Sequence, residues 1–216
     1  MTWVIHIANA QDQFDGLVGP IRDAIEGARL RCAAVLTSPP IDVIVQAWPG
    51  RVIPERGYVG YAPTGTMMQL TFDPANPNLA HCLGETLERT VAHEFHHVCR
   101  WQGPGYGRTL GEALVSEGLA GRFAAQLYGE APEPWEDALT EAQARDLAAL
   151  AEARWTMADY DHAAWFFGQG DHPRWAGYTL GYRLVGRTLA AHPGETPASL
   201  VAAPAAAFRS AMGEVR

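Results

Sequence analysis

The segment Thr90 to Cys99, TVAHEFHHVC, carries two histidines four residues apart with a glutamate directly after the first. On an α-helix, residues i and i+4 are about 40° apart and about 6 Å along the axis, so the imidazoles of His93 and His97 can reach one cation. Glu94 falls beside them, where a carboxylate can accept a proton from a water held at that cation. The composition of the chain makes an accidental HExxH rare, about 0.02 for the whole sequence. Zinc that keeps a fourth position for water needs a third protein ligand. The segment TLGEALVSEGLA, residues 109–120, offers Glu112 and Glu117, which are about 140° apart on a helix and so cannot both face one ion. Glu117 shares its face with the small residues Ala113, Ala120, Gly121 and Ala124, which permit close helix approach. Glu112 completes a capping box with Thr109. The third ligand is therefore assigned to Glu117, with Glu112 as the alternative. Two nitrogens and one oxygen suit Zn2+ better than magnesium or calcium, at one zinc per chain.

The same helix geometry sorts the other residues around the motif. Leu87, Val91, Phe95 and Val98 form an apolar stripe, and Thr90, His93, Glu94 and His97 cluster on a separate face. His96 falls with Glu85, Arg89 and Arg100 and is expected on the solvent side. A helix is expected over roughly 79–101, with others near 110–128, 134–156 and 174–191 and a short pair near 197–212. Before residue 78 the pattern is mixed α/β: a strand at Trp3 to Ala8, a helix from Gly19 to Cys32 opened by Pro20, and a strand from Ile41 to Trp48. From Tyr58 to Asp73 alternation places Met68, Leu70 and Phe72 on one face and Met67, Gln69 and Thr71 on the other, as in a strand exposed on one side. The expected fold class is α+β, a small N-terminal mixed sheet followed by a mainly helical part, within one domain over 1–216 whose lobes cover about 1–107 and 108–216. The helix at 174–191 directs Tyr178, Tyr182, Val185 and Leu189 inward.

TVAHEFHHVCR, then ALVSEGLAGRF and WAGYTLGYRLV, resemble the YjaZ-like bacterial zinc-dependent proteases, a group within the gluzincin metallopeptidases. The resemblance spans roughly residues 41–190 and is most specific in HEFHH and EGLA. It implies a zincin-like fold with an edge strand beside the site, matched by Tyr58 to Asp73, and zinc bound by His93, His97 and, through EGLA, Glu117. It also implies a tyrosine or histidine from a downstream helix that stabilises the oxyanion. Tyr178 fills that role, with Tyr182, His172 and His162 as rivals. Thermolysin-like relatives place an aspartate four residues after the ligand glutamate, whereas here Ser116 and Glu117 follow Glu112. The expected activity is peptide-bond hydrolysis with Glu94 as general base, acting on a peptide or protein substrate. The alternative is a catalytically silent zincin-fold metal- or peptide-binding protein.

Composition narrows the setting. All 16 basic residues of the 216 are arginine, and 24 acidic residues leave a formal charge of -8, which argues against a nucleic-acid groove. No apolar run is long enough for a membrane helix, and MTWVIHIANA lacks a basic leader. Cys32, Cys82 and Cys99 show no paired spacing, which fits packed, reduced thiols and a cytoplasmic location. Residues 130–161 hold nine acidic side chains, from Glu130 to Asp161, against Arg145 and Arg154. That run is read as a solvated helical face, with a charged lid that favours basic peptides as the alternative.

Overall fold

The computed structural model describes residues 2–129 and 131–215; Glu130, the first acid of the charged run, lies outside the described residues. The chain divides into two compact units, 1–102 and 103–216.

The first unit is built on a four-stranded sheet. Strands β1 (Trp3–Ile7), β2 (Ile41–Ala47), β3 (Tyr58–Thr64) and β4 (Met67–Phe72) lie in the order β1-β2-β4-β3. β1 and β4 flank β2 in parallel, and β3 closes one edge antiparallel to β4. The alternation read over Tyr58 to Asp73 thus belongs to two strands rather than one. The turn at Gly65 and Thr66 folds the segment on itself, so β4 becomes an inner strand and β3 is the edge on that side, opposite β1. Period-two patterning continues through a tight hairpin and does not by itself reveal the reversal. Met68, Leu70 and Phe72 are fully buried, as the pattern requires.

Helix α1 (Val18–Ala33) connects β1 to β2, and α3 (Glu85–Arg100) packs against α1, β3 and β4. Leu87, Val91, Phe95 and Val98 are all buried. The continuous helix expected over 79–101 is two helices, α2 (Leu79–Cys82) and α3. Between them Leu83 is extended and Gly84 takes φ +84°, a conformation that right-handed helix excludes and that glycine alone adopts cheaply. All three cysteines are free, with Cys32 and Cys99 buried; burial pushes both thiols up, Cys99 to about 12.

The second unit is mainly helical: α4 (Leu110–Tyr128), α5 (Glu141–Ala153), α6 (Ala176–Ala191), a π-helical turn (Ala163–Phe167) and a 3-10 segment (Ala205–Glu214). α4 and α6 cross at glycines, since a Cβ on Gly118 would strike the Gly181 carbonyl and one on Gly181 the Leu114 carbonyl. Gly121, on the small-residue face of α4, lies against Glu136 and Tyr182. The helix expected over 134–156 is confined to α5. It starts at a second capping box, Thr140 with Gln143, which excludes the residues before it. The pair expected near 197–212 resolves into turns and the single 3-10 segment, and the π turn has no periodic signature at all. Within the acidic run Glu136 is buried and accepts from the Glu133 amide, while Asp137 and Glu141 contact Arg183. Asp146 and Asp159 are exposed. Among the described residues no helix is long and apolar enough to cross a membrane.

Candidate metal centre

The first unit contributes a pair of imidazoles. His93 Nε2 and His97 Nε2 are 3.1 Å apart, with the rings nearly perpendicular. Two nitrogens bound to one tetrahedral zinc at about 2.0–2.1 Å are separated by about 3.3 Å, so the side chains are already spaced as a shared cation would hold them. His97 is buried and His93 half-buried.

Glu94 is 8% exposed and turns toward the edge strand: a Cβ built on Gly60 of β3 would stand 2.7 Å from its Oε1. Only a glycine leaves room for that carboxylate against the strand. His96 and Arg100, expected on the solvent side, are instead 0% and 1% exposed. The helical wheel determines which residues share a face and says nothing about whether that face is covered.

The second unit contributes Glu117, buried in the middle of α4. Its Oε1 accepts a 2.8 Å hydrogen bond from the Tyr106 hydroxyl. Burial first, and then the Glu117 carboxylate and the Tyr178 phenol, hold Tyr106 well above its ordinary pKa, so the hydroxyl keeps its proton and donates. Tyr160 is likewise pushed up to about 12 by burial, then by Glu117 and Glu112. Its hydroxyl is 3.0 Å from Nδ1 of His162, whose ring stacks on Phe166. Burial lowers the His162 pKa against the opposing pull of Glu117 and Asp161.

The other candidates separate by neighbourhood. Tyr178, in the first turn of α6, packs edge-on against Phe166 and is close enough to Tyr106 to act on its ionisation. Tyr182, one turn later, lies under the Arg122 guanidinium, and His172 lies against Trp165. Of the four residues weighed for the oxyanion, Tyr178 and His162 therefore share the surroundings of Glu117. Glu112 has the expected capping role: its Oε2 accepts from the amides of Arg108 and Thr109 and from the Thr109 hydroxyl.

Tyr106 and Tyr160 were not singled out by sequence. Tyr106 stands alone in the glycine-rich loop between α3 and α4, outside any periodic element; its one signal is an aromatic residue among glycines immediately before the EGLA helix.

The first unit thus offers two imidazole donors, His93 and His97, and the second unit a carboxylate donor, Glu117. Their chemistry, two imidazole nitrogens and one carboxylate oxygen, fits zinc. The family model described as Predicted Zn-dependent protease (DUF2268) matches residues 22–210. The Bacillus subtilis (strain 168) protein described as "Uncharacterized protein YjfC" is 28% identical over 155 residues, which cover 63% of this chain and 49% of that protein. The chain thus spans about half the length of this relative. No solved structure matches it.

Proposed function

We propose, for a chain that belongs to the family of predicted Zn-dependent proteases, that it is a zinc peptidase of zincin-like, gluzincin type holding one zinc ion through His93, His97 and Glu117. The observation that carries this reading is the 3.1 Å approach of the two Nε2 atoms with Glu94 next in sequence. Bound zinc would polarise a peptide carbonyl and make water acidic near neutral pH. Glu94 takes the proton of the attacking water and returns it to the leaving amine. Gly60 leaves the space in which its carboxylate does so. Tyr178 donates a hydrogen bond to the oxygen that gains charge on the attacked carbonyl. The outer edge of β3, bridged by Ile53 at Tyr58 and met by the Trp101 indole at the Ala62 carbonyl, can pair between these points with a short extended stretch of substrate backbone, the way a sheet edge accepts an added strand.

Metal analysis of the purified chain together with a peptidase assay tests the proposal. One zinc per chain and hydrolysis that disappears in Glu94→Gln with zinc retained are the expected results. Zinc retained with no hydrolysis by the unaltered chain on any peptide of a broad library would favour a silent metal- or peptide-binding protein.

A further inference from the structure

The loop before α4 is fastened at two points of one residue. Ser116 Oγ donates to the Tyr106 carbonyl at 2.9 Å, and the Tyr106 hydroxyl donates to Glu117 Oε1 at 2.8 Å. Ser116 is fully buried, and Glu117 follows it in the same helix turn. Adjacent side chains of α4 thus hold the backbone and the tip of the same tyrosine. A carboxylate can bind a metal through one oxygen or both, and a hydrogen bond from a neutral donor to one oxygen biases that choice, because the engaged lone pairs are less available to the ion.

We propose that Tyr106 is the positioning residue of Glu117: its hydroxyl occupies Oε1 so that the carboxylate presents the other oxygen alone to the metal. This rests on the zinc reading above. The Ser116 bond serves the same end, since a tyrosine fixed at its carbonyl loses little further freedom when its hydroxyl binds. Groups that orient a metal ligand typically change metal affinity about 10–100-fold when removed.

The test uses the full chain with Co2+ in place of zinc. Unaltered protein should show the intense visible band of four-coordinate cobalt. Tyr106→Phe should weaken and shift that band towards five-coordinate cobalt as the released oxygen joins the ion. Competition with a chelator should show zinc binding weakened about 10–100-fold. A loss of packing alone would lower the melting temperature without changing the cobalt spectrum. If Tyr106→Phe does not fold, the cobalt spectrum of the unaltered chain carries the test: four-coordinate cobalt, with Glu117 bound through one oxygen, supports the proposal, and five-coordinate cobalt with both oxygens bound overturns it. Should the unaltered chain take up neither metal, or His93→Ala keep them, the zinc reading itself fails. Should unaltered protein bind and His93→Ala not, while Tyr106→Phe matches the unaltered chain in affinity and spectrum, the zinc reading stands and Tyr106 has no positioning role.

Discussion

On α3, His93 and His97 meet across one helical turn, so their 3.1 Å approach follows from a spacing of four in a segment that is helical throughout. Glu117 on α4 draws its surroundings from several other segments. Tyr106 comes to it from a loop, Tyr160 and His162 from the stretch entering a π turn, and Tyr178, through Tyr106, from α6. The imidazole pair is fixed by local geometry, whereas the surroundings of the carboxylate depend on at least three chain segments returning to one place. Substitutions in the first region should therefore act sharply and singly. Those in the second should divide between metal affinity, turnover and stability.

The largest effects are expected on α3. His93→Ala or His97→Ala should remove zinc and activity together, as read by metal analysis. Glu94→Gln should retain zinc and lower turnover by at least about 10²- to 10⁴-fold, since the amide keeps the shape and cannot accept the proton. Full activity in Glu94→Gln would sink the assignment of the base.

The two glutamates of α4 should separate next. Glu117→Ala is expected to weaken zinc binding severely in a chelator titration. Glu112→Ala should cost about 1 kcal/mol of stability, the loss of a cap, with zinc affinity little changed. The reverse order would transfer the ligand to Glu112.

Tyr178→Phe should leave zinc in place and lower kcat about 10²-fold with less effect on KM, because the hydrogen bond proposed for it forms in the transition state. Tyr182→Phe should change turnover little, since that ring is taken up by Arg122. Damage from Tyr182→Phe with none from Tyr178→Phe would move the role one turn along α6.

The smallest effect is expected from the acidic run. With Glu136 buried and Asp137 and Glu141 in contact with Arg183, Asp146→Asn and Asp159→Asn should leave cleavage of basic and acidic peptides equal at low and high salt. A preference for basic peptides that salt abolishes would restore the charged lid.

Much of this was legible from residue order. The α+β class, the range of α4, the capping box of Thr109 and Glu112, and the buried stripe Leu87, Val91, Phe95 and Val98 all rest on interactions between residues a few positions apart. Spacing alone equally brings His93 to His97. The break at Gly84 and the hairpin at Gly65 carried glycine signals that a strong periodic pattern overrode. Burial of His96 and Arg100, the company of Tyr106 and Glu117, and the division of Tyr178 from Tyr182 were decided only by tertiary structure. Periodicity specifies a direction around a helix axis, and what stands in that direction depends on contacts between segments distant in sequence, for which no local spacing leaves a trace.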